Sequence, residues 1–177
     1  MRFIFMCFFL GVYVSHFSGA VVFRFTNLVC VSYNESWYIV QHCRLKAVSR
    51  SKVILNFNGT VLHSVNDIQV HVKAFKKASG FKPWLLDSKV DVCRFLKRNY
   101  DPFVKLVFSL FKDFSNFNHS CPYLGLQMVK GFYLRPELLH LPIPTGEYML
   151  MIRWYFDKKL QFDTNVSFLF VEDLKAT

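Results

Sequence analysis

Several familiar catalytic patterns are missing from this sequence. It has no G-x-S-x-G elbow, no H-E-x-x-H pair and no glycine-rich phosphate loop. Nothing in the order of residues therefore points to a serine hydrolase, a zinc protease or a nucleotide-binding enzyme. Neither C-x-x-C nor a closely spaced histidine pair occurs, which sets zinc aside. Acidic residues are scarce, 12 against 22 Lys and Arg. Those around the centre (Asp87, Asp91, Asp101, Asp113, Glu137, Glu147) are dispersed, and no pair marks a glycosidase cleft. His119, beside Asn118 and Cys121, reads as a structural residue of a turn whose backbone Asn116 and Asn118 serve. His42, His63, His71 and His140 read as surface or loop positions. There is no repeat, low-complexity tract or linker, so one domain is expected. The expectation is a non-enzyme with no cofactor and no metal.

What is present begins with a leader. Met1 and Arg2 precede an apolar run over residues 3–14, and Ser18-Gly19-Ala20 offers the small residues a signal peptidase reads. Residues 1–20 are read as a signal peptide cleaved after Ala20, and residues 21–177 as the secreted, extracellular domain. The alternative, a membrane anchor, needs an apolar run nearer to roughly 20 residues. Cys7 leaves with the leader, and the remaining four (Cys30, Cys43, Cys93, Cys121) make an even count that reads as two disulfides. Three pairings are open. Cys30–Cys43 with Cys93–Cys121 is favoured because each closes a local loop, at about 3 kcal/mol apiece. Glycosylation sequons stand at Asn34, Asn58, Asn118 and Asn165. The formal net charge of +10 suits an anionic membrane surface, an acidic glycan or a cell-surface receptor as partner. Export disfavours nucleic acid.

Hydrophobic periodicity predicts a mainly β protein. Strands are expected over 22–31, 37–47, 52–62, 68–74, 126–134, 147–156 and 160–171, with residues 81–92 leading into a helix. In 37–47 the expected inward face is Trp37, Ile39, Cys43, Leu45 and Ala47. Residues 52–62 keep one phase through Gly59 and are read as one long strand, bulged there. That phase turns Asn58 outward, as the last strand does Asn165. The fold class is a two-sheet antiparallel β-sandwich, immunoglobulin-like, with one helical insert around residues 93–115. Asp101 and Pro102 suit the start of that helix, and Phe103, Leu106, Val107, Leu110, Phe111 and Phe114 share its core face. Val104 and Phe108 widen the apolar side, as befits either a packed helix or a lid that touches a membrane.

The inward set is rich in phenylalanine. Such rings either fill a solid core or line a pocket between splayed sheets, and periodicity does not separate the two. If hollow, the pocket has Phe103, Leu106, Val107, Leu110 and Phe111 nearest its entrance and Trp154 and Phe168 deeper inside. Arg44 and Lys46 near one turn, and Arg94, Lys97 and Arg98 before the helix, are candidates for a cationic rim if they converge.

The blocks CRLKAVSR from Cys43, GFKPWLLDSKVDVCRFL from Gly80, LFKDFSNFNHSCPY from Leu110 and LPIPTGEY from Leu141 together resemble the insect family catalogued as domain of unknown function 1091, or DM8. CheB-type chemosensory proteins are similar, and the family is remotely similar to the ML lipid-recognition sandwiches. The resemblance covers nearly all of residues 21–177. It implies a secreted ML-like sandwich with a lipid-binding pocket. It defines no ligand contacts to carry over, and the helical insert departs from the smaller ML sandwiches. The leading expectation is a binding protein for a hydrophobic or amphipathic ligand (a lipid, glycolipid or cuticular hydrocarbon), chemosensory in some relatives. The competing one is a solid-cored receptor-accessory or matrix-associated protein acting through a basic surface.

Overall fold

The structure, a computed structural model, describes residues 21–50, 52–139 and 142–172. The leader and His140 lie outside the described residues. Eight strands form: β1 (Val22–Ser32), β2 (Tyr38–Ala47), β3 (Val53–Val65), β4 (Ile68–Ala78), β5 (Gly80–Asp91), β6 (Tyr123–Phe132), β7 (Gly146–Phe156) and β8 (Lys159–Val171). They make two antiparallel sheets, one of five strands in the order β1-β8-β7-β4-β5 and one of three, β2-β3-β6. The β7–β8 turn places Asp157 and Lys158 at φ 48° and 65°, the left-handed pair of a tight hairpin. Cys30 bonds to Cys43, joining edge strands of the two sheets, and Cys93 bonds to Cys121.

The helical insert is two helices rather than one. Helix α1 (Val92–Arg98) starts where the Asp91 carboxylate accepts from the Arg94 amide, 2.9 Å, and stops at Asn99, left-handed at φ 44°. Helix α2 (Pro102–Phe111) starts where Asp101 accepts from the Phe103 and Val104 amides, and a 3-10 turn, Lys112–Phe114, follows. Two carboxylate caps and a left-handed stop divide an apolar run that periodicity alone reads as continuous. The buried face of α2 is also rotated from expectation. Val104 and Leu110 are buried, and Phe103 is 43% exposed.

A second difference lies in β2. The Val40–Gly59 pair is followed directly by His42–Asn58, so the extra residue is Gln41 in β2, and β3 runs unbroken through Gly59. This bulge inverts the phase of the first half of the strand. Tyr38 is therefore the inward residue, 1% exposed, and Ile39 faces out. The Tyr38 ring stacks on Phe162 at 3.9 Å, and its hydroxyl fits over Gly59, where an added Cβ would collide with that oxygen. Gly59→Ala is expected to force this ring out of a packed core. The cost is about 1–3 kcal/mol, measured as a lower urea midpoint with an unchanged slope.

Candidate functional site

The five-stranded sheet is faced by only three strands. Helices α1 and α2, which contact β4 and β5, complete the second layer beyond β6. A helix with its side chains is about 10–12 Å across, whereas stacked sheets sit about 10 Å apart. A layer built of both does not close evenly over one flat sheet. At one end the gap is filled by rings from both layers: Tyr38 meets Phe156 and Phe162, and Phe57 meets Phe162. Toward the other end the layers enclose a cavity of about 450 Å³, walled by Phe23 and Phe25 of β1, Phe132 of β6, Tyr148 of β7, Phe168 of β8 and the inner face of α2.

Three of the lining residues are exposed and mark a mouth: Leu85 on β5, 77% exposed, Phe103 on α2, and Pro142 in the β6–β7 connection. Strand β5 shapes this opening. Its pairing with β4 runs from Lys73–Asp87 directly to Ala74–Trp84, so Leu85 and Leu86 are extra residues in the edge strand. The bulge turns Leu86 into the interior and Leu85 outward. Pro83, which has no amide hydrogen to donate, sits in this edge strand, where a missing ladder bond is tolerated.

Asp87 pins the bulge. It accepts from Lys73 at 2.8 Å and bonds the ring of His71 at 2.5 Å. His71, read from sequence as a surface or loop residue, is buried on β4, which lies between β7 and β5 in the sheet. The hydrogen bonds from Lys73 and then His71 hold the Asp87 carboxyl below its ordinary range. A folded-state value below the unfolded one stabilises at pH above the unfolded value and is lost as pH falls through the folded one. Wild type is therefore expected to loosen at the mouth below about pH 4. Hydrogen exchange of the β4–β5 amides should show that acid step, and Asp87→Asn should lack it.

Inside, the surface is almost wholly apolar. Among the described residues that line the cavity none is charged, and Thr164 is the one aliphatic hydroxyl. A smaller void of about 80 Å³ shares Phe111, Ile152 and Trp154 with it and reaches Tyr38 and Gln127. The Trp154 Nε1, Tyr38 hydroxyl and Gln127 Oε1 atoms nearby are buried without protein partners. Burial pushes the Tyr38 phenol far up from its ordinary value, so it stays neutral.

The structure brings all seven pocket residues named from sequence (Phe103, Leu106, Val107, Leu110, Phe111, Trp154 and Phe168) to the cavity wall. It adds Trp84, Leu85 and Leu86, whose unbroken apolar run in an otherwise alternating strand was the available signal. The basic residues are not brought together. Arg44 and Lys46 are exposed on β2, one edge of the second layer, while Arg94, Lys97 and Arg98 lie on α1 at the other. Arg94 sits over the Tyr100 ring, 5.0 Å from its centre. His119 stacks on Tyr123 at 4.2 Å, and Asn116 bonds the backbone of Leu126 and Met128, so both serve the turn. The Tyr123 hydroxyl, which donates to the Phe117 carbonyl, is pushed up to about 12 by burial.

Among the described residues no cluster of His, Cys, Asp and Glu could hold a metal ion, and no helix is long and apolar enough to cross a membrane. The two disulfides are compatible with an exported chain.

Residues 70–150 match the family model described as "Protein of unknown function (DUF1091)". No curated protein matches the sequence. Among solved structures, a Niemann-Pick type C2 protein from the Japanese carpenter ant is similar at 16% identity, over 85% of this chain and 92% of that one, with a TM-score of 0.30.

Proposed function

We propose that this protein is a secreted, non-enzymatic carrier of a hydrophobic or amphipathic small molecule, held between the sheets. The observation that carries the proposal is the cavity of about 450 Å³ with an open mouth and, among the described residues that line it, no charged one. Its size falls within the roughly 300–1,000 Å³ of small-molecule sites. Each methylene moved from water into it contributes about 0.8 kcal/mol, so an alkyl chain binds without a charged contact. An uncharged wall favours a neutral ligand, or an amphipathic one whose head stays at the mouth. Lys82 and Lys105, exposed on the two elements that frame the mouth, suit exchange with an anionic bilayer surface. A solid-cored accessory protein would have no use for this void.

Native mass spectrometry of protein secreted from insect cells tests the reading. A co-purifying lipid-sized adduct, or saturable one-to-one uptake of a fluorescent fatty alcohol, is the expected result. Protein that is bare as isolated and takes up no probe contradicts it.

A further inference from the structure

We infer that N-linked glycans are carried at Asn34 and Asn118 and not at Asn58 or Asn165, so that sugar covers the closed end of the sandwich and leaves the cavity mouth bare. Sequence alone treats the four sequons alike. The structure divides them into two pairs.

Asn34 lies in the β1–β2 turn, with Glu35 and Ser36 exposed beside it. Its Oδ1 accepts from the Ser36 amide at 3.2 Å and the Ser36 hydroxyl at 2.7 Å. With Oδ1 engaged in this way, the Nδ2 atom is left to react. Asn118, His119 and Ser120 are all exposed in the loop before β6. Asn58 and Asn165 sit within central strands, β3 and β8, and their Oδ1 atoms are buried without partners. Both face away from the cavity, as the strand phase requires, and each is half-buried with its amide oxygen enclosed. Their sequon hydroxyls are occupied or buried as well. Thr60 accepts from Gln41 at 2.6 Å, and Ser167 is buried. A glycan on either would crowd an amide whose oxygen the strand already encloses.

The transfer itself needs a lipid-linked oligosaccharide diphosphate as donor. Nδ2 forms a bond to C1 of the first sugar, the bond from C1 to the diphosphate oxygen breaks, the lipid diphosphate leaves, and Nδ2 gives up one proton. Asn34 and Asn118 are placed alike in the fold. The β1–β2 turn and the start of β6 both lie at the end that Tyr38, Phe156 and Phe162 fill, since Ser32 pairs with Phe162 and Tyr123 with Val65. Pro142 of the mouth lies beside the start of β7, at the other end of the sheet. No sequon among the described residues borders the mouth, so no sugar would block an apolar ligand there.

The inference rests on the exported reading and is independent of what the cavity holds. The full chain, with its own leader, is produced in insect cells and collected from the medium. Peptide-N-glycosidase treatment in heavy-oxygen water, followed by peptide mapping, should label Asn34 and Asn118 and leave Asn58 and Asn165 unlabelled. Asn34→Gln and Asn118→Gln should each remove one glycan mass, and Asn58→Gln and Asn165→Gln none. A glycan on Asn58 or Asn165 of the folded, secreted protein overturns the inference, as does a bare Asn34 or Asn118. Retention of the chain in the cells without sugar overturns it together with the exported reading. Probe uptake after enzymatic deglycosylation reports on the carrier alone, and is expected to be unchanged.

Discussion

Ala74→Phe is expected to cut uptake of a hydrophobic probe by about tenfold or more while leaving the urea midpoint unchanged or raised. Ala74 lies on β4, buried, with its side chain on the cavity wall. A ring added there extends into the void. It removes room for at least two ligand methylenes, about 0.8 kcal/mol each, which corresponds to roughly a tenfold loss. It also gives the surrounding rings contacts they lack. In a close-packed interior the same substitution overpacks and costs about 1–3 kcal/mol. The sign of the stability change therefore distinguishes a hollow from a filled interior. A tightly bound endogenous ligand would mask the uptake measurement, so the protein is stripped by mild organic extraction first.

The second large effect is on the helical wall. Cys93→Ser combined with Cys121→Ser is expected to lower stability by about 3–4 kcal/mol by the loop-closure relation. This should exceed the loss from Cys30→Ser with Cys43→Ser, because the loops closed span 28 and 13 residues. The functional consequences differ more than the energies. Cys30–Cys43 ties β1 to β2, strands already held in their own sheets. Cys93–Cys121 ties α1 to the approach to β6, while α1 and α2 meet the sheet through side-chain contacts and not through a ladder. Without it the wall carrying Phe103, Leu106, Val107 and Leu110 is free to lift. Probe binding should then be lost at denaturant concentrations where far-ultraviolet circular dichroism still reports intact sheet. If uptake and sheet signal disappear together in both double variants, the helical wall is not a separate unit.

Much of this architecture is legible in the order of residues, for physical reasons. Alternation in β4, β7 and β8 fixes which side chains face inward, because one face of each strand must be buried. Asp101-Pro102 announces the start of α2, because the carboxylate and the fixed proline φ both suit a first helical turn. Where the chain departs from a simple period, reading it by period fails. Gln41 is an extra residue that no residue type betrays, and it exchanges Tyr38 for Ile39 as the buried side chain. The Asn99 stop is local chemistry, visible in principle, but the apolar residues on either side continue the helical spacing and hide it. The β5 bulge is the largest omission, since residues 81–92 are read only as leading into a helix, and period does not separate Leu85, 77% exposed at the mouth, from the buried Leu86 beside it. His71 passes for a surface residue because its carboxylate partner, Asp87, stands sixteen positions away. Hollowness itself is not written in periodicity. It arises from the count of elements per layer, five strands against three and a helical insert, and that count is known only once the sheets are assembled.

The most direct test places a quencher inside the cavity. Trp84 and Trp154 line it, while Trp37 packs against His63 and does not. A brominated long-chain methyl ester, neutral and with its bromines at mid-chain, is titrated into the stripped protein while tryptophan emission is recorded. The account predicts saturable one-to-one quenching that is lost in Trp84→Phe/Trp154→Phe, where only Trp37 emits. Emission that does not respond to the ester, or that falls equally with only Trp37 present, contradicts a guest held between the sheets.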